Sequence, residues 1–173
     1  MTLPNALSAA RAVLVIPVIG LIATGDASLA LLVFLGAAAT DALDGPLARR
    51  RGATALGAAL DPFADKILVV GTLAALAIRG IAPAWAIVLI LARELVAIEV
   101  RARAPQAIGA GADGKAKTVL QVTAIAMLLA TAAWPAAGLA TAANALLVAA
   151  TTLTVLSGVR LVLRAKQTTA DPA

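Results

Sequence analysis

The stretch DALDGPLARRRGATALGAALDPFADK, residues 41–66, sets four aspartates close together in a chain that is 62% hydrophobic. Asp41 and Asp44 are three residues apart and Asp61 and Asp65 four apart, so on helices each pair occupies one face. An Asp at the centre of a membrane helix costs about 2.5–3.5 kcal/mol on insertion scales, so four uncompensated carboxylates are not tolerable there. Arg49, Arg50, Arg51 and Lys66 are the nearest cations. The arginines lie at a helix end, where long side chains extend into the interface, and neutralisation alone leaves the paired spacing unexplained. Two divalent cations would cancel four carboxylates using hard oxygen ligands only. The chain has neither histidine nor cysteine, which removes the usual zinc ligands, the usual general base and any disulfide framework. Acid–base chemistry then falls to carboxylates or lysines.

Elements must carry these groups. Apolar runs at about 7–24, 29–48, 57–78, 82–104, 115–133 and 137–163 are each close to a bilayer span. Gly25-Asp26, Gly52, Gly80 with Pro83, Gly109 to Gly114 and Trp134-Pro135 punctuate them. The runs lack period-2 alternation, and backbone in lipid must satisfy its own hydrogen bonds. The expectation is an all-α integral membrane protein with six transmembrane helices in a single domain, 1–173, whose end at 166–173 is a flexible tail.

The formal charge is +5, but the basic residues sit in short loops between apolar runs, a pattern of membrane topology and not of nucleic-acid binding. Placing alternate connections on one side gathers Arg49, Arg50, Arg51, Arg101, Arg103, Lys115 and Lys117, joined by Arg11, Arg160, Arg164 and Lys166. The other side holds Asp26 and Arg79, with Trp85 and Trp134 near its interface. By the positive-inside rule both termini are cytoplasmic. The opening residues do not read as a cleaved signal, since no early basic cluster precedes the apolar stretch.

Gly45 follows Asp44, and Gly57 stands four residues before Asp61. Glycine inside a helix costs about 0.5–1 kcal/mol relative to alanine, and its return is close approach of backbone or ligand. Ordinary helix packing is the alternative. The whole pattern, Asp41-x-x-Asp44-Gly45-x-x-Ala48-Arg49, seven residues, then Gly57-x-x-x-Asp61-x-x-x-Asp65, resembles the signature of the CDP-alcohol phosphotransferases. The resemblance implies six transmembrane helices, a homodimer and two magnesium or manganese ions. It implies a CDP-linked lipid that gives its phosphatidyl group to an alcohol and releases CMP. Carried over, Asp41, Asp44, Asp61 and Asp65 are metal ligands, with Asp65 also the catalytic base, and Gly45, Arg49 and Thr54 contact the CDP part. Pro46 departs from the pattern and, inside a helix, removes a hydrogen bond.

Three flanking stretches, LPNALSAAR at 3–11, LARELVA at 91–97 and GKAKTVLQ at 114–121, resemble the branch of that family whose acceptor is glycerol 3-phosphate. That likeness matches Asn5, read with CDP-diacylglycerol, and Arg11, read with the acceptor phosphate; Arg93, Lys115 and Lys117 form a phosphate pocket for that acceptor if two of the three face the aspartates. Read as residues alone, Arg93 beside Glu94 is either a structural ion pair or a phosphate contact, and Lys115 and Lys117 serve either topology or phosphate. Cardiolipin synthases of the family share parts of these motifs; phosphatidylinositol-phosphate synthases would also need a phosphate pocket, but the flanking stretches resemble them less. An ion-coupled transporter is the rival from another class; it calls for midplane carboxylates and matching halves, neither of which is visible here. The implied setting is a bacterial cell membrane, with the active site on the cytoplasmic side.

Overall fold

The computed structural model describes residues 3–51, 55–103 and 112–170; side chains at 3–8, 41–51, 55–63, 65, 101, 112–115, 137 and 168–170 lie outside that description. Six α-helices occupy the described residues: α1 (Leu3–Thr24), α2 (Ala27–Arg51), α3 (Ala55–Ile78), α4 (Ala84–Arg103), α5 (Ala112–Ala133) and α6 (Ala137–Ala170). Alanine and leucine dominate them, the residues that lose least on entering a helix.

The ends are written into the sequence. α1 and α3 close alike: Asp26 N–H donates to the Leu21 carbonyl and Gly25 to Ile22, just as Ile81 donates to Leu76 and Gly80 to Ala77. Gly25 (φ 89°) and Gly80 (φ 72°) supply the left-handed backbone this cap requires. Asp26 then starts α2, its Oδ1 accepting the Leu29 N–H at 3.1 Å. α2 continues as helix through Pro46 to Arg51. α6 runs through Lys166 to Ala170. Its 34 residues measure about 50 Å at 1.5 Å per residue, well beyond a hydrocarbon core of about 30 Å.

α1 packs chiefly on α3 and α2, α6 on α5 and α4, and α2 on α5, while α3 also touches α2, α4 and α5. Val18, Phe34, Leu68, Leu73, Leu128, Leu129 and Leu147 lie in one buried cluster. The outside is equally apolar. Ile16, Leu32, Ile78, Leu95 and Val119, one from each of α1 to α5, are 64–86% exposed, and Leu163 of α6 is exposed too. Large apolar side chains turned outward on every helix belong to a protein bathed in lipid. Among the described residues two helices, over Ala116–Ala133 and Gly138–Gln167, are long and apolar enough to cross a membrane; Ala9–Thr24, Ala27–Thr40 and Lys66–Ile78 are shorter apolar stretches.

Candidate active site

Asp41 and Asp44 stand near the C-terminal end of α2, and Asp61 and Asp65 in the first half of α3. Both spacings fall on helix, so each pair shares a face, and the two helices touch. The four side chains themselves lie outside the described ones, as do those of Gly57, Arg49 and Asn5; Gly45 is on α2, and Thr54 lies outside the described residues altogether. Among the described residues, no three Asp, Glu, His or Cys side chains gather as a metal site. The donor set of α2 and α3 does fit a hard divalent cation: carboxylates at helical spacing on neighbouring helices, in a chain without His or Cys.

Directly after Asp65, α3 carries Lys66, which leads to a second polar centre. Lys66 Nζ lies 2.7 Å from Glu94 Oε2 on α4. Lys117 Nζ of α5 donates to Glu94 Oε1 at 2.5 Å, and Arg93 Nη1 reaches the same oxygen at 3.0 Å. Arg93 Nη2 donates to Ser157 Oγ of α6 at 3.1 Å. One helical turn along α5 from Lys117, Gln121 Nε2 donates to Thr154 Oγ1 at 2.8 Å, continuing the polar seam between α5 and α6. Glu94, Lys117, Gln121 and Thr154 are all buried.

Of the four residues expected at the acceptor phosphate, the fold brings Arg93 and Lys117 together. Lys115, two residues earlier on α5, lies outside the described side chains. Arg11 is fully buried on α1. The two readings of Arg93 meet in one arrangement: it pairs with Glu94, and it does so inside a cluster of three cations around one carboxylate. Counted over the described side chains, such a cluster carries excess positive charge and suits an anion.

Sequence reasoning missed Glu94 as the hub and Lys66 as a member. The available signal was the cost of charge in an apolar helix, which obliges Glu94 to find partners. Ser157 gave no signal, because serine is ordinary at membrane helix interfaces.

The family profile described as CDP-alcohol phosphatidyltransferase matches residues 1–162. The chain is 41% identical over 136 residues to a Mycobacterium tuberculosis protein named "Probable phosphatidylglycerophosphate synthase", covering 77% of this chain and 64% of that protein. It is 34% identical over 147 residues to the CDP-diacylglycerol–glycerol-3-phosphate 3-phosphatidyltransferase of Bacillus subtilis, covering 73% of this chain and 76% of that one. A CMP-forming cardiolipin synthase of Streptomyces coelicolor is 46% identical over 66 residues, 38% of this chain and 31% of its own. The chain thus spans a little under two thirds of the length of the mycobacterial relative.

Proposed function

Because the chain belongs to the CDP-alcohol phosphatidyltransferase family, we propose that it transfers the phosphatidyl group of CDP-diacylglycerol to glycerol 3-phosphate, yielding phosphatidylglycerophosphate and CMP in phospholipid synthesis. The observation that carries the choice of acceptor is the convergence of Lys66, Arg93 and Lys117 on one carboxylate, beside the segment bearing Asp61 and Asp65. A neutral alcohol would have no use for that excess of cations. A phosphate monoester, with about −1.5 to −2 charges at neutral pH, matches it.

Asp41, Asp44, Asp61 and Asp65 would hold two divalent cations, magnesium or manganese, which neutralise charge on the donor pyrophosphate and on departing CMP. Asp65 removes the proton from the 1-hydroxyl of glycerol 3-phosphate. The freed oxygen bonds to the lipid-side phosphorus as that phosphorus gives up its bond to the CMP oxygen. Gly45, Arg49, Thr54 and Asn5 bind the CDP portion; Arg93 and Lys117, with Arg11 and Lys115, serve the acceptor phosphate. The donor's acyl chains stay in the bilayer.

The same reading makes the protein a multi-pass component of a bacterial cell membrane, with six spans, both termini and the active site cytoplasmic, and a homodimer as the working unit. The outward apolar residues on all six helices support the immersion of each. An acceptor screen tests the function. Protein in nanodiscs with labelled CDP-diacylglycerol is offered glycerol 3-phosphate, inositol phosphate, serine or phosphatidylglycerol. Release of CMP with glycerol 3-phosphate is expected. Turnover with phosphatidylglycerol in its place would make the protein a cardiolipin-forming enzyme, and CMP release from none would remove it from this reaction.

A further inference from the structure

A carboxylate at the centre of a phosphate site is paradoxical, since it repels the ligand that the cations attract. Glu94 nevertheless touches three cations from three helices: Lys66 of α3, Arg93 of its own α4 and Lys117 of α5. We propose that Glu94 is a positioning residue for the acceptor, holding Lys66, Arg93 and Lys117 as one phosphate-binding cluster, with Ser157 of α6 fixing the Arg93 fork. The proposal rests on the reading that the acceptor carries a phosphate monoester.

The geometry supports this in three ways. First, among the described residues the donors are only partly used. Each lysine ammonium has three N–H donors and, within the described side chains, gives one contact to Glu94. Arg93 spends Nη1 on Glu94 and Nη2 on Ser157, while its Nε is buried without a hydrogen-bond partner, a donor that a ligand oxygen can satisfy. Second, without Glu94 the three cations would repel one another and spread. The carboxylate sets their spacing, and among the described side chains the cluster holds three cations against one anion. Third, α6 is shaped around Arg93. A Cβ added at Gly158 would lie 3.0 Å from Arg93 Cγ, so the glycine leaves room for the arginine stem while Ser157 beside it holds the guanidinium. Lys66 adjoins Asp65 in sequence, so the same carboxylate ties the acceptor cluster to the helix that bears the proposed base.

The test is steady-state kinetics in nanodiscs on the wild type, Glu94→Gln, Glu94→Asp and Ser157→Ala, with separate KM values for the two substrates. A positioning role raises the KM for glycerol 3-phosphate by about tenfold in Glu94→Gln and about threefold in Ser157→Ala, while the donor KM stays within about twofold. Glu94→Asp, which keeps the charge, recovers part of the loss. If Glu94 were only an electrostatic damper, Glu94→Gln would lower the acceptor KM; if it only stabilised the fold, active protein would fall with both KM values unchanged. Either result overturns the proposal. Ser157→Ala carries the test alone if Glu94→Gln does not accumulate. A wild type that ignores glycerol 3-phosphate overturns the proposed function and this inference together; a wild type that uses it, with unaltered acceptor KM in the variants, overturns this inference alone.

Discussion

Charged residues in an apolar helical chain must each be accounted for, and those of the proposed site fall into two groups, the aspartates of α2 and α3 and the cluster around Glu94. The aspartates of α2 and α3 pair at helical spacing in an apolar chain, and the proposed divalent ions neutralise them. A chelator should therefore abolish CMP release, and magnesium or manganese should restore it. Asp41→Asn should bind less manganese by electron paramagnetic resonance, an outcome independent of turnover; unchanged binding would remove Asp41 from the ligand set. Asp65 differs in its proposed role. With no histidine in the chain, a carboxylate is the available base. Asp65→Asn should lower single-turnover CMP release by about 100-fold or more while keeping much of the donor affinity, because general-base catalysis contributes on that scale. Asp61→Asn should weaken donor binding as well. Near-normal turnover in Asp65→Asn would assign the proton to another group.

At the scale of elements, the site depends on where α3 is held. Gly71 of α3 lies against α1, and a Cβ there would stand 2.8 Å from Val15 Cγ2 and 3.6 Å from Ile19 Cδ1. No real contact is that short, so Gly71→Ala must push α3 off α1, a strain of about 1–3 kcal/mol as for other overpacked cores. Val15→Ala removes the clashing methyl. The double variant Gly71→Ala/Val15→Ala should then be less destabilised than the two single changes sum to, as read by thermal unfolding in detergent. Simple additivity would mean that α1 and α3 do not meet there. Arg79 adds a polar tie at the far ends of the same helices, its Nη1 donating to the Ala23 carbonyl at 3.2 Å.

For the whole molecule, an apolar interior and an apolar exterior coexist, so burial alone cannot orient the bundle; lipid competes with protein for every side chain. Orientation falls to the charged ends. Arg160, Arg164 and Lys166 lie on the last stretch of α6, a helix longer than the bilayer core, while Trp85 and Trp134 are exposed at the start of α4 and just past α5. Reporter fusions after Ala173 and between α4 and α5, at 104–111, should both read cytoplasmic. An external reading at either position would mean that the proposed six spans are miscounted.

The sequence by itself determined the number, kind and approximate limits of the helices, because lipid leaves the backbone no alternative to helix and glycine caps such as Gly25 and Gly80 mark where each must stop. It also determined the aspartate motif, since i,i+3 and i,i+4 spacing defines a face without knowledge of any neighbour. What it left open was every pairing across helices. Lys66, Glu94, Lys117 and Ser157 are far apart in the chain, and nothing in local composition says which helix stands beside which. The two readings of Arg93 could be resolved only by packing, because an arginine beside a glutamate looks the same in sequence whether it closes a lone ion pair or joins a cluster. Only the tertiary structure, by setting α3, α4, α5 and α6 around Glu94, decided that this pair is one part of a larger cationic centre.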